Sequence, residues 1–302
     1  MTAPLPSLRQ LRYLVAVADH GHFGRAAEAS LVTQSTLSAS IKELEAILGR
    51  TLIERTKRTV IVTPLGRDIA ARARAVLSDV ADLSDAVKAA GPPLSGPLRL
   101  GVIPTIGPYL LPRAWPALRA AHPALELFLR EDQTAPLLAR LGAGDLDAVL
   151  MAFPYPAAAF ETALFADDPF WLAFPRGPAL AARERIEPAD LTGQDLLLLE
   201  EGYCLRDHAL TLCDVPGPDR FQATSLHTLA QMVDNGLGLT LLPKMAIDGG
   251  LIRGTRVEIR PMNGPARHIG LAWRKTSSRQ ADFTALAAHF RDELATPLPP
   301  SG

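Results

Sequence analysis

The chain has 302 residues, of which 48% are hydrophobic and 21% charged, and this composition excludes a mainly disordered protein. Its length allows two or three domains with separate cores. No stretch approaches the roughly 18 uninterrupted apolar residues of a membrane span, and the N-terminus lacks the features of a secretory signal. We therefore expect a cytoplasmic protein with no membrane partner. The seven histidines are scattered and no Cys-x-x-Cys is present, so we expect no metal site and no cofactor.

Charge is distributed unevenly along the chain, although the net charge is only −1. Residues 1–66 carry 8 Lys and Arg against 5 Asp and Glu, whereas the remaining residues carry 23 against 27. This asymmetry indicates an anionic partner for the N-terminal part alone.

Three short helices are predicted in the N-terminal part. The first has an apolar stripe formed by Leu8, Leu11, Val15 and Ala18. It ends at the break over residues 19–22. The second covers Phe23–Ala29. Thr33 is a good N-cap for a third helix, which ends at Gly49 and has an apolar stripe formed by Leu37, Ile41, Leu44 and Leu48. Away from that stripe lie polar residues that we predict to contact DNA, chiefly at base edges in the major groove: Gln34, Ser35, Thr36, Ser38 and Lys42.

A basic hairpin is predicted after the third helix. Residues 52–55 and 60–62 are predicted to be strands, and the turn between them is rich in Lys and Arg. Arg55, Lys57 and Arg58 are therefore predicted to neutralise DNA phosphates. The alternative is a small helical bundle whose polar residues are only solvated.

A long helix is predicted to start at the sequence Thr63-Pro64-Leu65-Gly66. Its apolar residues follow steps of four and three, namely Leu65, Ile69, Ala73, Val76, Val80, Leu83 and Val87. This spacing is typical of the seam of a two-stranded coiled coil, so we expect a homodimer, although packing on its own domain is the alternative. Residues 91–97 are rich in Gly and Pro and predict a hinge.

The C-terminal two thirds alternate between strand-like and helical segments, which favours parallel α/β units. The predicted strands are 98–103, 125–129, 146–153, 170–174, 196–199, 221–224, 239–242, 256–259 and 269–273. The predicted helices are 110–121, 135–141, 226–235 and 281–294.

The only two cysteines, Cys204 and Cys213, are nine positions apart in one segment. Helical spacing begins at Leu205, which puts Cys204 at a helix N-terminus, where the helix dipole and the cation Arg206 favour the thiolate. If the segment is helical throughout, the two Cα atoms are roughly 13.5 Å apart. A disulfide tolerates only about 4.4 to 6.8 Å, so a bridge would require unwinding. The alternative is a pair of inert buried cysteines.

The N-terminal motifs resemble those of the LysR-type transcriptional regulators. The resemblance rests on Leu11-Arg12-Tyr13-Leu14, Phe23-Gly24-Arg25-Ala26-Ala27, Thr33-Gln34-Ser35-Thr36-Leu37-Ser38, Ile41-Lys42-Glu43-Leu44-Glu45, Leu52-Ile53-Glu54-Arg55 and Thr63-Pro64-Leu65-Gly66. It implies a winged helix-turn-helix domain over 1–63 and a dimerising linker helix over 64–91. It also implies a regulatory domain over 92–302 like the α/β periplasmic solute-binding proteins. The regulatory domain would have subdomain I at about 95–167 and 268–302 and subdomain II at about 168–267.

The cysteine segment resembles that of the peroxide-sensing members of this family. The resemblance implies that Cys204 reacts with peroxide and that Cys213 resolves the product as a disulfide. It also implies a peroxide pocket formed by Thr105, Thr134, Tyr203, Arg206, Asp207 and Arg267. Tyr203 stands where these proteins often have His, and His208 could replace that imidazole because it lies one helical turn after Cys204.

The combined prediction is a redox-responsive regulator that binds a double-stranded DNA operator and takes hydrogen peroxide as its signal. Its expected further partners are a second copy of the chain, with dimers pairing into tetramers, and RNA polymerase. One alternative is a LysR-type regulator that senses a metabolite and has inert cysteines. The other is a thiol peroxidase, which the predicted DNA-reading helices disfavour, so we do not expect an enzyme.

Overall fold

The computed structural model describes residues 4–55, 60–88, 93–177, 182–213, 222–264 and 266–295. The chain divides into two compact units. The first contains the N-terminal residues up to Ala90 together with Gly142–Asp145, and the second contains the rest. None of the helices in the described ranges combines the length and apolarity that a membrane crossing needs.

The first unit begins with the three predicted helices, α1 (Leu8–His20), α2 (Phe23–Ala29) and α3 (Gln34–Leu48). Thr33 caps α3 by accepting the N–H of Thr36 at 3.2 Å, and Gly49 ends it with φ of 66°. These caps confirm the two boundaries expected from the sequence. His22 caps α2 through Nδ1, which accepts the N–H of Gly24 at 3.0 Å, a role that the sequence did not suggest.

The hairpin after α3 consists of β1 (Ile53–Arg55) and β2 (Val60–Val62), paired antiparallel. The carboxylate of Glu45 fastens it to α3 by accepting the N–H groups of Leu52 at 2.8 Å and Ile53 at 3.0 Å. The side chain of Arg55 lies outside the described residues, as do Lys57 and Arg58.

Helix α4 (Pro64–Lys88) follows, and the hydroxyl of Thr63 caps it by accepting the N–H of Gly66 at 2.9 Å. Its first turns pack on the helical core through Ile69 and the buried Ala70. Farther along, Val76, Val80 and Leu83 are 43%, 36% and 69% exposed. These three residues of the predicted seam therefore form an apolar face that the described part of the chain leaves partly uncovered, and the side chain of Val87 lies outside the described residues.

The second unit contains a five-stranded sheet in the order β4-β3-β5-β12-β6. Its strands are β3 (Gly96–Val102), β4 (Leu125–Glu131), β5 (Ala148–Phe153), β6 (Phe160–Asp168) and β12 (Arg267–Arg274). Strands β3, β4 and β5 are parallel, but β12 runs antiparallel to both β5 and β6. The predicted parallel α/β units are therefore confirmed for β3, β4 and β5. The antiparallel pairing of β12 and the presence of β6 were not predicted. Helices α5 (Gly107–Ala121), α6 (Thr134–Ala143) and α10 (Gln280–Ala295) accompany this sheet.

The rest of the second unit is built on strand β7 (Phe170–Phe174), which pairs antiparallel with β10 (Thr240–Pro243) and β11 (Glu258–Pro261). Two short strands, β8 (Leu198–Leu199) and β9 (Gln222–Ala223), pair in parallel. Three helices belong to this part: α7 (Cys204–Cys213), α8 (Leu226–Asp234) and α9 (Lys244–Asp248). We call the part with the five-stranded sheet subdomain I and this part subdomain II. The chain crosses between them after β6 and again before β12.

Candidate functional site

Cys204 is the first residue of α7 and lies two residues after Gly202, whose φ is 92°. Its thiol is only 3% exposed. Although α7 belongs to subdomain II, Cys204 packs in the hydrophobic core of subdomain I. The thiol therefore lies where the two subdomains meet.

The environment of Cys204 does not favour the thiolate, contrary to the sequence-based expectation. Burial raises the pKa of the thiol, and this effect exceeds the lowering of the pKa by Arg267 and by hydrogen bonding from Thr134. Arg206, the cation expected beside the thiol, donates from Nη1 to the carbonyl oxygen of Leu199 at 3.1 Å, and its effect on the thiol stays a prediction. Asp207, at the exposed surface, raises the pKa of the thiol further.

Arg267, the first residue of β12, is the cation that acts on the thiol, and it is 1% exposed. Its Nη1 donates to Thr105 Oγ1 at 2.8 Å and its Nη2 donates to the carbonyl oxygen of Thr105 at 3.0 Å. Its Nε and Nη2 donate to Asp168 Oδ2 at 3.0 and 2.8 Å. A guanidinium has five N–H groups, so one N–H on Nη1 has no partner among the described residues.

Thr134, the first residue of α6, is 1% exposed. Its hydroxyl is near enough to lower the pKa of Cys204 by hydrogen bonding, and otherwise has no partner among the described residues. The structure thus brings together Cys204, Thr134, Arg267 and Thr105. Three hydrogen-bonding groups of this cluster have no partner other than the thiol among the described residues: the Thr134 hydroxyl, one Arg267 N–H and the hydroxyl hydrogen of Thr105.

Tyr203 occupies a different environment from the thiol, although it precedes Cys204 in the chain. It packs against the core of subdomain II, and burial raises the pKa of its phenol, with a smaller rise from Glu200. Together with Thr105 it lines a cavity of about 270 Å³ between the subdomains. Tyr203 is therefore a neutral wall residue of that cavity.

Helix α7 is continuous from Cys204 to Cys213, which places the two Cα atoms roughly 13.5 Å apart. The side chain of Cys213 lies outside the described residues. Joining the two sulfurs would therefore require α7 to unwind, as the sequence predicted.

Sequence models of two domains match this chain. One, described as the LysR substrate binding domain, matches residues 92–295. The other, described as a bacterial regulatory helix-turn-helix protein of the lysR family, matches residues 8–67. The chain belongs to the LysR family. The domain boundaries expected from the sequence stay predictions.

Similar LysR-family proteins cover almost the whole chain. The DNA-binding transcriptional dual regulator OxyR of Escherichia coli K12 is 44% identical over 295 residues, which span 95% of this chain and 96% of OxyR. A full-length OxyR with a cysteine-to-aspartate substitution, from Pseudomonas aeruginosa, is 36% identical, with a TM-score of 0.78. The match covers 95% of this chain and 98% of that one. These relatives are transcription regulators and not enzymes, which bears out the corresponding prediction.

A second similar structure carries hydrogen peroxide. It is a cysteine-to-serine variant of OxyR from Corynebacterium glutamicum, which is 35% identical, with a TM-score of 0.65. The match covers 97% of this chain and 94% of that one. This chain is thus a DNA-binding LysR-family regulator similar to OxyR proteins, one of which has been solved with hydrogen peroxide bound.

Five of the residues predicted to contact DNA lie on α3, four of them within its first five positions. Gln34, Ser35, Thr36 and Lys42 are exposed and Ser38 is half-buried. The hydroxyls of Ser35 and Thr36 lie 2.9 and 2.8 Å from Thr33 Oγ1. The capping residue therefore also orients two side chains that we expect to face DNA.

Sequence reasoning missed two residues near the thiol. Asp168, which holds Arg267, had no motif that marked it. Tyr155 follows the cis Phe153–Pro154 peptide, and burial raises the pKa of its phenol, as does the nearby Cys204. For Tyr155 the signal would have been an aromatic residue just beyond the buried strand β5, whereas Asp168 ends the partly exposed strand β6 and had no such signal.

Proposed function

We propose that this regulator senses hydrogen peroxide through Cys204 and responds by forming a disulfide between Cys204 and Cys213. The observation that carries the proposal is the set of unused hydrogen-bonding groups around a buried thiol. Leaving buried polar groups unpaired costs about 1–3 kcal/mol each, so such a cluster indicates a small polar ligand. Hydrogen peroxide is small, and its two O–H groups both donate and accept.

The first chemical step is attack of the Cys204 sulfur on one peroxide oxygen. An S–O bond forms, the O–O bond breaks, and the sulfur loses two electrons to become a sulfenic acid. The proton of the thiol ends on the departing oxygen, which leaves as water. Thr134 and Arg267 stabilise the charge that develops on the sulfur and on the departing oxygen, because hydrogen bonds and charges act strongly in a water-poor site.

The raised pKa of Cys204 fits a sensor that is selective rather than generally reactive. A buried, mostly protonated thiol reacts slowly with other electrophiles, because the thiolate is the nucleophile. Hydrogen peroxide is small and can hydrogen-bond to the unpaired groups of Thr134 and Arg267, which a bulky apolar electrophile cannot do. Selectivity then comes from the pocket and not from an acidic thiol.

The second step is condensation of the sulfenic acid with Cys213. The Cys213 sulfur attacks Cys204, an S–S bond forms, the S–O bond breaks, and water leaves. Because α7 must unwind, the packing of both subdomains changes. We propose that this change alters how a homodimer or tetramer, joined through the exposed seam of α4, binds its DNA operator and contacts RNA polymerase.

Mass spectrometry after addition of one equivalent of peroxide to the reduced protein tests this function. We expect a Cys204–Cys213 disulfide in the wild type, a sulfenic acid trapped by dimedone in Cys213→Ser, and neither product in Cys204→Ser. The DNA footprint of the same samples should change on oxidation only for the wild type. Two free thiols after this treatment, with DNA binding intact, would overturn the proposal.

A second candidate function is sensing of a small metabolite, favoured by the cavity of about 270 Å³. Its walls include the side chains of Tyr109, Tyr203, Thr224, Ser225 and His227. A metabolite sensor would keep its transcriptional response in Cys204→Ser and lose it when Ser225 or Thr224 is replaced by a larger residue. The peroxide sensor shows the opposite pattern.

A further inference from the structure

Asp168 ends strand β6, where the chain first crosses between the subdomains, and it is 3% exposed. Both oxygens of its carboxylate are occupied. Oδ2 accepts from Arg267 Nε at 3.0 Å and from Nη2 at 2.8 Å, and Oδ1 accepts the N–H of Met245 at 2.8 Å. The carboxylate therefore joins the guanidinium to the first turn of α9 in subdomain II.

This ion pair fixes the plane of the guanidinium. Arg267 presents its five N–H groups in a rigid fork, so two bonds from one edge to Asp168 determine where the other edge points. That other edge donates to the hydroxyl and the carbonyl of Thr105, and the fifth N–H, which is the second one on Nη1, has no partner among the described residues. Without the carboxylate, the buried cation would lose the partner that orients it.

We infer that Asp168 is a positioning residue for the oxidation of Cys204, acting only through Arg267. This inference rests on the proposed peroxide-sensing function. Asp168 keeps the unpaired N–H of Arg267 directed to the pocket shared with Thr105 and Thr134. Because Asp168 lies at the first crossing and Arg267 follows the second, the same contact makes the reactivity of Cys204 depend on how the two subdomains are packed.

A purely structural role for Asp168 makes a different prediction from a positioning role. If Asp168 only fastened the subdomains, its removal would loosen them and expose Cys204 to every reagent. If it positions Arg267, its removal slows the peroxide reaction specifically. The ratio of the rate constants for peroxide and for a small alkylating agent separates the two roles.

The test compares Asp168→Asn with Asp167→Asn in the full-length reduced protein. Asp167 is the matched control, because it is the adjacent aspartate and pairs with His268 at 2.6 Å, but is 73% exposed. The measurement is the second-order rate constant for Cys204 with hydrogen peroxide, divided by that with iodoacetamide. We expect this ratio to fall at least about tenfold in Asp168→Asn, as for a misplaced catalytic group, and to stay unchanged in Asp167→Asn.

A double-mutant cycle with Arg267→Gln shows whether Asp168 acts through the arginine. In the Arg267→Gln background, Asp168→Asn should lower the ratio by less than about twofold, the range expected for uncoupled sites. Additive losses, or an unchanged ratio in Asp168→Asn, would overturn the inference. If Asp168→Asn does not fold, Asp168→Glu replaces it in the cycle, because this variant keeps the charge but displaces it. The inference is then judged by the same change in the ratio of rate constants.

Failure of the inference and failure of the proposed function give different results. A wild type that reacts with peroxide no faster than a free cysteine contradicts the proposed function. A wild type that reacts rapidly, with Asp168→Asn equal to it, contradicts only the role of Asp168.

Discussion

The ring of His208 joins helix α7 to subdomain I, because Nε2 lies 2.9 Å from the carbonyl oxygen of Pro154. A carbonyl can only accept, so Nε2 carries the hydrogen and Nδ1 is the unprotonated nitrogen. Nδ1 is buried without a partner among the described residues. His208 therefore holds α7 in place as a neutral ring, and its N–H is already engaged.

The first prediction concerns the pH dependence of stability. Burial lowers the pKa of His208 below its usual 6.5, and the bond to Pro154 only partly opposes this effect. As the pH falls through 6.5, the unfolded protein therefore binds more protons at His208 than the folded protein does. The part of the free energy of unfolding that depends on a neutral His208 is present above this pH and should be lost below it. Urea denaturation of the reduced protein should show this loss, and His208→Gln should remove it. An equal pH dependence in both proteins would contradict the assignment.

The second prediction concerns the backbone just before the reactive cysteine. Gly202 has φ of 92°, and a Cβ there would lie 2.4 Å from Gln133 Oε1. Gly236 has φ of 78°, but a Cβ there would meet nothing within 4 Å. Gly236→Ala should cost about 1–2 kcal/mol of unfolding free energy from backbone strain alone.

Gly202→Ala should cost more than this control and should also slow the oxidation of Cys204, because Gln133 must move beside Thr134. Urea denaturation and peroxide kinetics check both effects. Equal losses of stability in the two variants, with normal oxidation of Gly202→Ala, would contradict a role for the Gln133 contact.

The third prediction divides the DNA contacts between bases and phosphates. Arg58→Ala should weaken binding to all sequences alike and reduce the log–log salt slope by about 1, because phosphate contacts release counterions. Ser35→Ala should instead reduce discrimination between operator and mutated operator by about 1 kcal/mol. Fluorescence anisotropy at several salt concentrations measures both quantities. The division fails if both variants lose affinity uniformly.

The fourth prediction assigns the exposed apolar face of α4 to a dimer. Val80→Asp would place an unpaired charge in the seam and should weaken the dimer by at least about 3 kcal/mol, or roughly 100-fold in Kd. Arg72→Glu, at another exposed position of the same helix, is the control and should leave the dimer intact. Sedimentation equilibrium measures the two constants, and an unchanged dimer in Val80→Asp would refute the seam.

The sequence predicted those features that depend on neighbours along the chain. Thr33 and Gly49 mark the ends of α3 through a hydrogen bond to a nearby N–H and through the positive φ of Gly49 itself, so both roles could be predicted without tertiary structure. The position of Cys204 at the start of α7 followed from the same kind of reasoning.

Features that depend on distant residues were missed or wrongly predicted. The pKa of Cys204 is set by burial in the other subdomain and by Arg267, which is 63 positions away in the sequence. Strand β6 lies at the sheet edge, where the adjacent exposed residues Glu161 and Thr162 interrupt the apolar alternation. The partnership of Asp168 with Arg267 spans 99 positions, and no local pattern encodes it.

The last prediction follows from the length of helix α7. Its ten residues hold Cys204 and Cys213 at opposite ends, and a disulfide requires the two Cα atoms to approach from roughly 13.5 Å to about 4.4–6.8 Å. No rotation of side chains can span that difference, so the helical hydrogen bonds between the cysteines must break.

Hydrogen–deuterium exchange of the reduced and oxidised wild type should therefore show loss of amide protection across α7 on oxidation. Helix α8 (Leu226–Asp234) is the internal control and should keep its protection, because it carries no cysteine. In Cys213→Ser, peroxide should produce the sulfenic acid with α7 still protected, since no bond then pulls the two ends together. A Cys204–Cys213 disulfide in a protein whose α7 amides stay fully protected would show that the bridge forms without unwinding. That result would contradict the proposed link between oxidation and subdomain packing.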